Sequence, residues 1–174
     1  VAVTDNQKII APLNAQQAVC FVPFEDHQAV EKELQRGDVC AVIFEPIQGV
    51  GGLDTPSKEF IIQLERLCQH YNTCLIADEV QSGFSRSGTF FAFQNTSIKP
   101  HIITMAKGMG NGFPVGGILI HPDLKAQFGL LGTTFGGNHL ACRAALAVLD
   151  VLKRDKLQEH AGQMEQYFRE KAAQ

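Results

Sequence analysis

The chain has 174 residues, of which 45% are hydrophobic and 19% are charged, and its formal net charge is −3 with the histidines neutral. This length suits one domain with its own hydrophobic core, and the composition excludes wholesale disorder. The lack of a basic excess argues against nucleic acid as a partner, and no apolar run is long enough to cross a membrane.

Short apolar stretches alternate with amphipathic ones along the chain. The apolar stretches predict strands and the amphipathic ones predict helices. In chain order we predict a strand at Val19–Phe24, a helix at His27–Arg36, a strand at Val39–Phe44, a helix at Lys58–Tyr71, strands at Thr73–Ala77, Ile102–Ala106 and Val115–Ile120, and helices at His139–Leu152 and Leu157–Ala173. This alternation predicts an α/β layered domain with a mostly parallel sheet, in which ligands bind at the carboxyl ends of the strands.

Polar residues follow three of the predicted strands. Glu45, Asp78 and Lys107 stand at these strand ends, and each could simply mark the place where a strand meets water. Glycine-rich segments follow at 108–112 and 132–137, and neither matches a nucleotide-binding motif. The five cysteines and six histidines lack the clustering of a zinc site, so no metal is expected.

Taken together, these side chains suit pyridoxal 5′-phosphate (PLP). That cofactor needs a lysine for a Schiff base and an acid that keeps its ring nitrogen protonated. It also needs a neutral donor near the ring hydroxyl, and hydroxyl or N–H groups around its phosphate. Lys107, Asp78, Gln81 and Thr134 offer these four functions in turn.

Four motifs carry a resemblance to a known family. They are Glu45-Pro-Ile-Gln-Gly49, Asp78-Glu-Val-Gln-Ser-Gly83, Ala106-Lys-Gly108 with its downstream Gly112–Gly117, and Thr133-Thr-Phe-Gly-Gly-Asn138. In this order and spacing they resemble the class III, or ornithine-type, aminotransferases, from about Val19 to Leu152. The resemblance implies the three-layer α/β/α large domain of the fold type I PLP-dependent transferases.

The resemblance also implies roles for single residues. Lys107 would form the Schiff base with the cofactor and carry the proton during transfer. Asp78 would pair with the pyridinium nitrogen, Val80 would pack on one ring face, and Gln81 would hydrogen-bond the ring hydroxyl or the lysine. Thr134 would bind the cofactor phosphate of the neighbouring subunit, which implies a homodimer with shared active sites.

Thr133 and Glu45 would lie on the substrate side of the site, with Glu45 in a supporting position. One departure from the family pattern is Val50, which stands where a glutamate usually follows Gln-Gly. In the family that glutamate pairs with the arginine that binds the substrate α-carboxylate. Its replacement puts the gating between amino donors, and with it the substrate, in question.

The chain also looks incomplete beside the family. We expect residues 1–155 to be a PLP-binding large domain that lacks its amino-terminal part, and residues 156–174 to be a helix leading to a small domain. The family's stacking aromatic, phosphate loop and carboxylate-binding arginine are not recognisable here. The isolated chain is therefore expected to be inactive.

The resemblance implies transfer of the δ-amino group of N-acetylornithine or N-succinylornithine to 2-oxoglutarate, a step of arginine biosynthesis. Ornithine, 4-aminobutyrate and glutamate-1-semialdehyde remain alternative substrates, and a PLP-binding sensor module or a purely structural domain are alternatives of other classes. The five cysteines are odd in number and have no C-x-x-C spacing. We interpret them as free, mostly buried thiols of a cytoplasmic protein.

Overall fold

A computed structural model describes residues 10–12, 18–125, 127–129 and 132–173. Its helices and strands are, in chain order, α1 His27–Leu34, β1 Ala41–Phe44, α2 Lys58–His70, β2 Cys74–Asp78, β3 Ile102–Met105, β4 Gly117–Ile120, α3 His139–Arg154 and α4 Leu157–Ala172. Two short 3₁₀ turns cover Ala92–Asn95 and Lys107–Met109. Most elements fall within one or two residues of the predicted bounds.

The four strands form one sheet in the order β1-β2-β3-β4. The β1–β2 and β2–β3 pairs are parallel, whereas β4 runs antiparallel to β3. The prediction of an α/β domain with a mostly parallel sheet is therefore confirmed. Because β1, β2 and β3 point the same way, their carboxyl ends share one edge of the sheet.

Side-chain caps fix where the helices begin. Asp26 Oδ1, Ser57 Oγ and Asn138 Oδ1 accept hydrogen bonds from the backbone N–H groups three residues downstream, at 2.9, 3.2 and 2.9 Å. Such caps satisfy amide donors that have no partner inside the helix. Helices α3 and α4 are separated at Lys156, which adopts a left-handed conformation with φ of 50°.

The core lies on one face of the sheet. One cluster joins α1 and α2 to Leu75 of β2, with Val42 and Phe44 of β1 packed against it. A second cluster centres on Phe84, Phe91 and Met105, and residues of α3 pack against it. Strand alternation turns Ile43, Ile118 and Ile120 to the opposite face, where they are 40, 48 and 46% exposed.

The prediction of a strand at Val19–Phe24 is wrong. Its side chains are exposed, and the sheet of the described residues begins at β1 without a paired strand from this segment. An apolar run that is neither buried nor paired gains nothing from an extended conformation. The prediction of mostly buried thiols is also wrong: Cys68 is buried, Cys74 is half-buried, and the other three are exposed.

Two observations bear on classes of function. None of the helices in the described ranges combines the length and apolar character needed to cross a membrane. The same ranges hold no group of three or more histidine, cysteine, aspartate or glutamate side chains placed to bind a metal ion.

Candidate active site

The carboxyl edge of the sheet brings three of the predicted site residues close together in the fold. Glu45 follows β1, Asp78 ends β2, and Lys107 comes two residues after β3. The register pairs Phe44 with Ala77 and Asp78 with Thr104, so Glu45 and Asp78 reach the edge at the same level. Neighbouring strands in a sheet lie about 4.8 Å apart, so residues at the ends of adjacent strands are close enough to contact one small ligand.

Asp78 is held through one of its two carboxylate oxygens. Its Oδ1 accepts a hydrogen bond from the backbone N–H of Val80 at 3.0 Å and another from Thr104 Oγ1 at 3.0 Å. Its Oδ2 accepts none from any residue that the structure describes. The half-buried side chain is thus fixed in direction and has one oxygen left for a donor.

Thr104 is a site residue that the sequence analysis missed. It lies in β3 directly beside Asp78 and faces the same side of the sheet, because paired residues of neighbouring strands point the same way. The signal was available in the sequence as a single hydroxyl in the otherwise apolar run Ile102–Met105. Only the register between β2 and β3 shows which carboxylate that hydroxyl contacts.

Glu45 and Gln81 meet at Gly49. Glu45 Oε2 accepts a hydrogen bond from the backbone N–H of Gly49 at 2.5 Å. A Cβ added at Gly49 would lie 1.7 Å from Gln81 Nε2, so the Gln81 amide rests directly on this glycine. The loop after β1 therefore supports the residue that the family pattern assigns to the cofactor ring.

Glu79 has a structural task beside the site. It is completely buried, and its carboxylate accepts hydrogen bonds from the backbone N–H of Phe93 at 2.9 Å and from Ser82 Oγ at 2.6 Å. A carboxyl group is tolerated at such a buried position because its oxygens are hydrogen-bonded. Glu79 thus fastens the segment that carries Val80 and Gln81 to the Ala92–Asn95 turn.

Lys107 opens the 3₁₀ turn Lys107–Met109 and its side chain is exposed. Its backbone is left-handed, with φ of 42°, and its carbonyl accepts hydrogen bonds from the N–H groups of Gly110 and Asn111, both at 3.1 Å. Gly110 has no room for a side chain, since a Cβ would lie 2.2 Å from the Phe113 carbonyl oxygen. The tight turn leaves the long amine at the sheet edge, where a ligand can reach it.

Thr133 and Thr134 lie in an exposed loop before α3. Thr133 Oγ1 accepts a hydrogen bond from the N–H of Gly136 at 3.2 Å, and Asn138 closes the loop with a hydrogen bond from Nδ2 to the Phe135 carbonyl at 2.8 Å. Among the described residues, no hydrogen bond joins this loop to Asp78, Gln81 or Lys107. The structure thus gathers the strand-end residues and leaves the two threonines apart from them.

The residues present fit the ring of PLP. The Asp78 oxygen left without a donor can accept a hydrogen bond from a protonated ring nitrogen, and the half-buried Val80 lies two residues after this strand end. The amide of Gln81, three residues after the end of β2, lies against Gly49 in the loop after β1, and β2 is the strand between those followed by Glu45 and Lys107. An acid, an amide and an amine at adjacent strand ends are the donor set that this cofactor requires.

A mostly parallel sheet with these groups at its carboxyl edge is typical of cofactor-dependent α/β enzymes. A family model described as "Aminotransferase class-III" matches residues 2–173. The chain therefore belongs to the class III aminotransferases, which are PLP-dependent transferases.

Relatives of known name agree with this assignment. The acetylornithine aminotransferase of Methanosarcina mazei is 42% identical over 151 residues, which are 87% of this chain and 38% of that protein. The acetylornithine aminotransferase of Archaeoglobus fulgidus is 40% identical over 171 residues, 97% of this chain and 45% of that protein. The chain thus spans about two fifths of the length of these relatives.

Solved structures of two aminotransferases also match this chain. The ornithine aminotransferase of Toxoplasma gondii matches with a TM-score of 0.81 and 34% identity, covering 86% of this chain and 36% of that one. The acetylornithine aminotransferase of Elizabethkingia anophelis matches with a TM-score of 0.78 and 34% identity, covering 87% and 41%.

Proposed function

We propose that this chain is the PLP-binding part of a cytoplasmic aminotransferase that acts on N-acetylornithine or N-succinylornithine. The δ-amino group would pass to 2-oxoglutarate and leave a semialdehyde and glutamate. The proposal rests on the arrangement of Asp78. Its Oδ1 is held by two hydrogen bonds, its Oδ2 is left to bind a ligand, and the strand that it ends is the neighbour of the strand that leads to the Lys107 turn. The names of relatives about 40% identical support the choice of amino donor.

The bound cofactor would supply an electron sink that stabilises negative charge on the carbon that bears the amine. Lys107 would hold the cofactor through its amine and then move a proton to and from that carbon. Asp78 would keep the ring nitrogen protonated, because a carboxylate close to a cation favours the charged form. Val80 would pack on the ring face, and the Gln81 amide, which lies against Gly49, would donate a hydrogen bond to the ring hydroxyl.

The remaining roles involve groups outside the strand-end cluster. Thr134 would bind the cofactor phosphate of a second subunit, and Thr133 would lie near the substrate. Glu45 would act as a support, since its oxygen holds the Gly49 loop beneath Gln81. An exposed, internally closed loop at 132–138 is compatible with contacts to a second copy of the protein.

The domain assignment is part of the same proposal. Residues 1–155 would form the cofactor-binding large domain, and residues 156–174 would lead towards a smaller domain. Helix α4 leaves Met164, Tyr167 and Phe168 exposed by 45, 57 and 72%, more apolar surface than a helix facing only water favours. Contact with further parts of a larger protein would cover it.

A second candidate keeps the reaction and changes the donor to free ornithine. It is favoured by the Toxoplasma gondii ornithine aminotransferase, which has the higher TM-score of the two structures compared above. Val50, 70% exposed after the Gly49 turn, stands where the family pattern has a glutamate, so the choice between amino donors cannot depend on a carboxylate at this position.

A panel of amino donors tests the proposal in the full-length protein. N-acetylornithine, N-succinylornithine, ornithine and 4-aminobutyrate are each incubated with 2-oxoglutarate and PLP, and glutamate is measured. We expect the highest kcat/KM with an N-acylated ornithine, and no glutamate in Lys107→Ala. Preference for free ornithine would favour the second candidate, and cofactor binding without turnover of any donor would favour a sensor module.

A further inference from the structure

Two turns near the carboxyl edge share an unusual backbone. Phe84 and Ser85 have φ of 57° and 66°, and Lys107 and Asn111 have φ of 42° and 46°. This left-handed region is unfavourable for residues that carry a Cβ, above all for a bulky one such as phenylalanine. Such conformations persist only where the surroundings enforce them, and they cluster at functional sites.

The Phe84–Ser85 turn is enforced by burial and hydrogen bonds. Phe84 and Ser85 are only 9% and 5% exposed, and the Phe84 ring lies 5.1 Å from the ring of Phe90 between centroids. The Ser85 N–H donates to the Phe90 carbonyl at 3.2 Å, and Ser85 Oγ donates to Gln158 Oε1 of α4 at 3.4 Å. The turn is therefore held by two separate parts of the chain, the loop at Phe90 and helix α4.

The Lys107 turn, by contrast, leaves its first residue exposed and rests on the Phe84 turn through the half-buried Gly108. A Cβ added at Gly108 would lie 3.3 Å from Phe84 Cβ, closer than a side chain tolerates without movement of its neighbour. Because Phe84 is buried, it cannot easily yield, and the backbone on either side of Gly108 must take up the displacement. That backbone includes Lys107.

We propose that Phe84 and Gly108 are positioning residues for the Lys107 amine. The buried Phe84 side chain is a fixed packing surface, and Gly108, which has no side chain, lets the Lys107 turn pack closely against it. This packing keeps the Lys107 backbone left-handed and its amine directed at the ligand. The inference rests on the proposed function, since it assumes that Lys107 reacts with the aldehyde of PLP. It adds a contact outside the site that decides how well the amine reaches that aldehyde.

The test distinguishes two effects of a substitution: a change in how well the Lys107 amine reaches the PLP aldehyde, and a change in the shape of the cofactor pocket. Pyridoxamine phosphate has the same ring and phosphate as PLP but no aldehyde, so its affinity does not depend on a bond to Lys107. Affinities of both compounds are measured by spectroscopic titration of the full-length apoprotein and its variants. Gly108→Ala is compared with Gly162→Ala, a matched change in α4 where an added Cβ meets nothing within 4 Å.

We expect Gly108→Ala to weaken PLP binding by about tenfold, since misplacement by a fraction of an ångström costs reactions that depend on geometry. Its affinity for pyridoxamine phosphate should change by less than about twofold, as should both affinities of Gly162→Ala. Phe84→Leu, which keeps an apolar side chain but loses the ring contact with Phe90, should show the same selective loss to a smaller degree.

Two results would overturn the inference while leaving the proposed function intact. One is an equal loss of both affinities in Gly108→Ala, which indicates general damage to the pocket. The other is no loss of either. If borohydride reduction of the unaltered protein with PLP leaves no stable adduct on Lys107, the inference and the proposed function fail together.

Discussion

Replacing Asp78 with asparagine removes one negative charge and almost nothing else. The amide oxygen of asparagine can still accept the two hydrogen bonds that now reach Asp78 Oδ1 from Val80 and Thr104. Its NH₂ group takes the place of Oδ2 and presents a donor where the proposed cofactor nitrogen needs an acceptor. We therefore expect Asp78→Asn to fold normally and to retain much of its cofactor affinity.

The expected loss lies in turnover. A hydrogen bond to a charged group is worth about 1.5–3 kcal/mol. If the hydrogen bond from the ring nitrogen to Asp78 stabilises only the steps in which the ring carries extra charge, its loss slows turnover by roughly ten- to a hundredfold. The conversion is about 1.4 kcal/mol per factor of ten. Single-turnover absorbance changes with N-acetylornithine measure this step directly in the full-length protein.

A matched carboxylate serves as the control. Asp123 follows the antiparallel strand β4, so it lies away from the edge that carries Asp78, and its side chain is 80% exposed. Asp123→Asn should leave turnover unchanged. A loss of less than about tenfold in Asp78→Asn would contradict the reasoning and reduce Asp78 to a strand-end charge.

Three further outcomes follow from the structure. Gly49→Ala should displace the Gln81 amide and lower turnover with little change in the melting temperature, because the overlap is with the end of a flexible side chain; a large loss of stability would contradict this. Glu79→Ala should destabilise the protein by about 3 kcal/mol in denaturant titrations, since it leaves one buried and one part-buried donor without an acceptor, whereas Glu79→Gln should cost clearly less; equal costs would contradict the hydrogen-bond argument. Burial raises the pKa of the Cys68 thiol to about 12, so at mildly alkaline pH iodoacetamide should modify the exposed Cys142 long before Cys68; comparable rates would show that Cys68 is accessible.

The sheet and its site edge could be predicted because the strands are short apolar runs that end in polar residues. Asp78 and Lys107 stand out in the sequence for that reason, and the strand order then places them at the carboxyl ends of neighbouring strands. The antiparallel direction of β4 could not be predicted, since its short apolar run lacks the alternation of apolar and polar residues that is typical of antiparallel strands. The break before α4 was predicted in the right place although no glycine or proline marks it, and the structure shows that Lys156 makes it by adopting the left-handed conformation.

Contacts that depend on register or on facing loops escaped the sequence analysis. Thr104 meets Asp78 only because β2 and β3 pair at that level, and Gly49 meets Gln81 across two separate loops. Glu79 is adjacent to Asp78 in the sequence but faces the interior, because alternate residues at a strand end point to opposite sides. Neither residue type nor spacing distinguishes these roles before the chain is folded.

The central claim is that Lys107 is the lysine that holds PLP. Borohydride reduction of the full-length protein with PLP, followed by peptide mass spectrometry, tests it most directly. We predict a single pyridoxyl group on Lys107, absent in Lys107→Ala. A label on Lys99 or Lys125 in place of Lys107 would contradict the account.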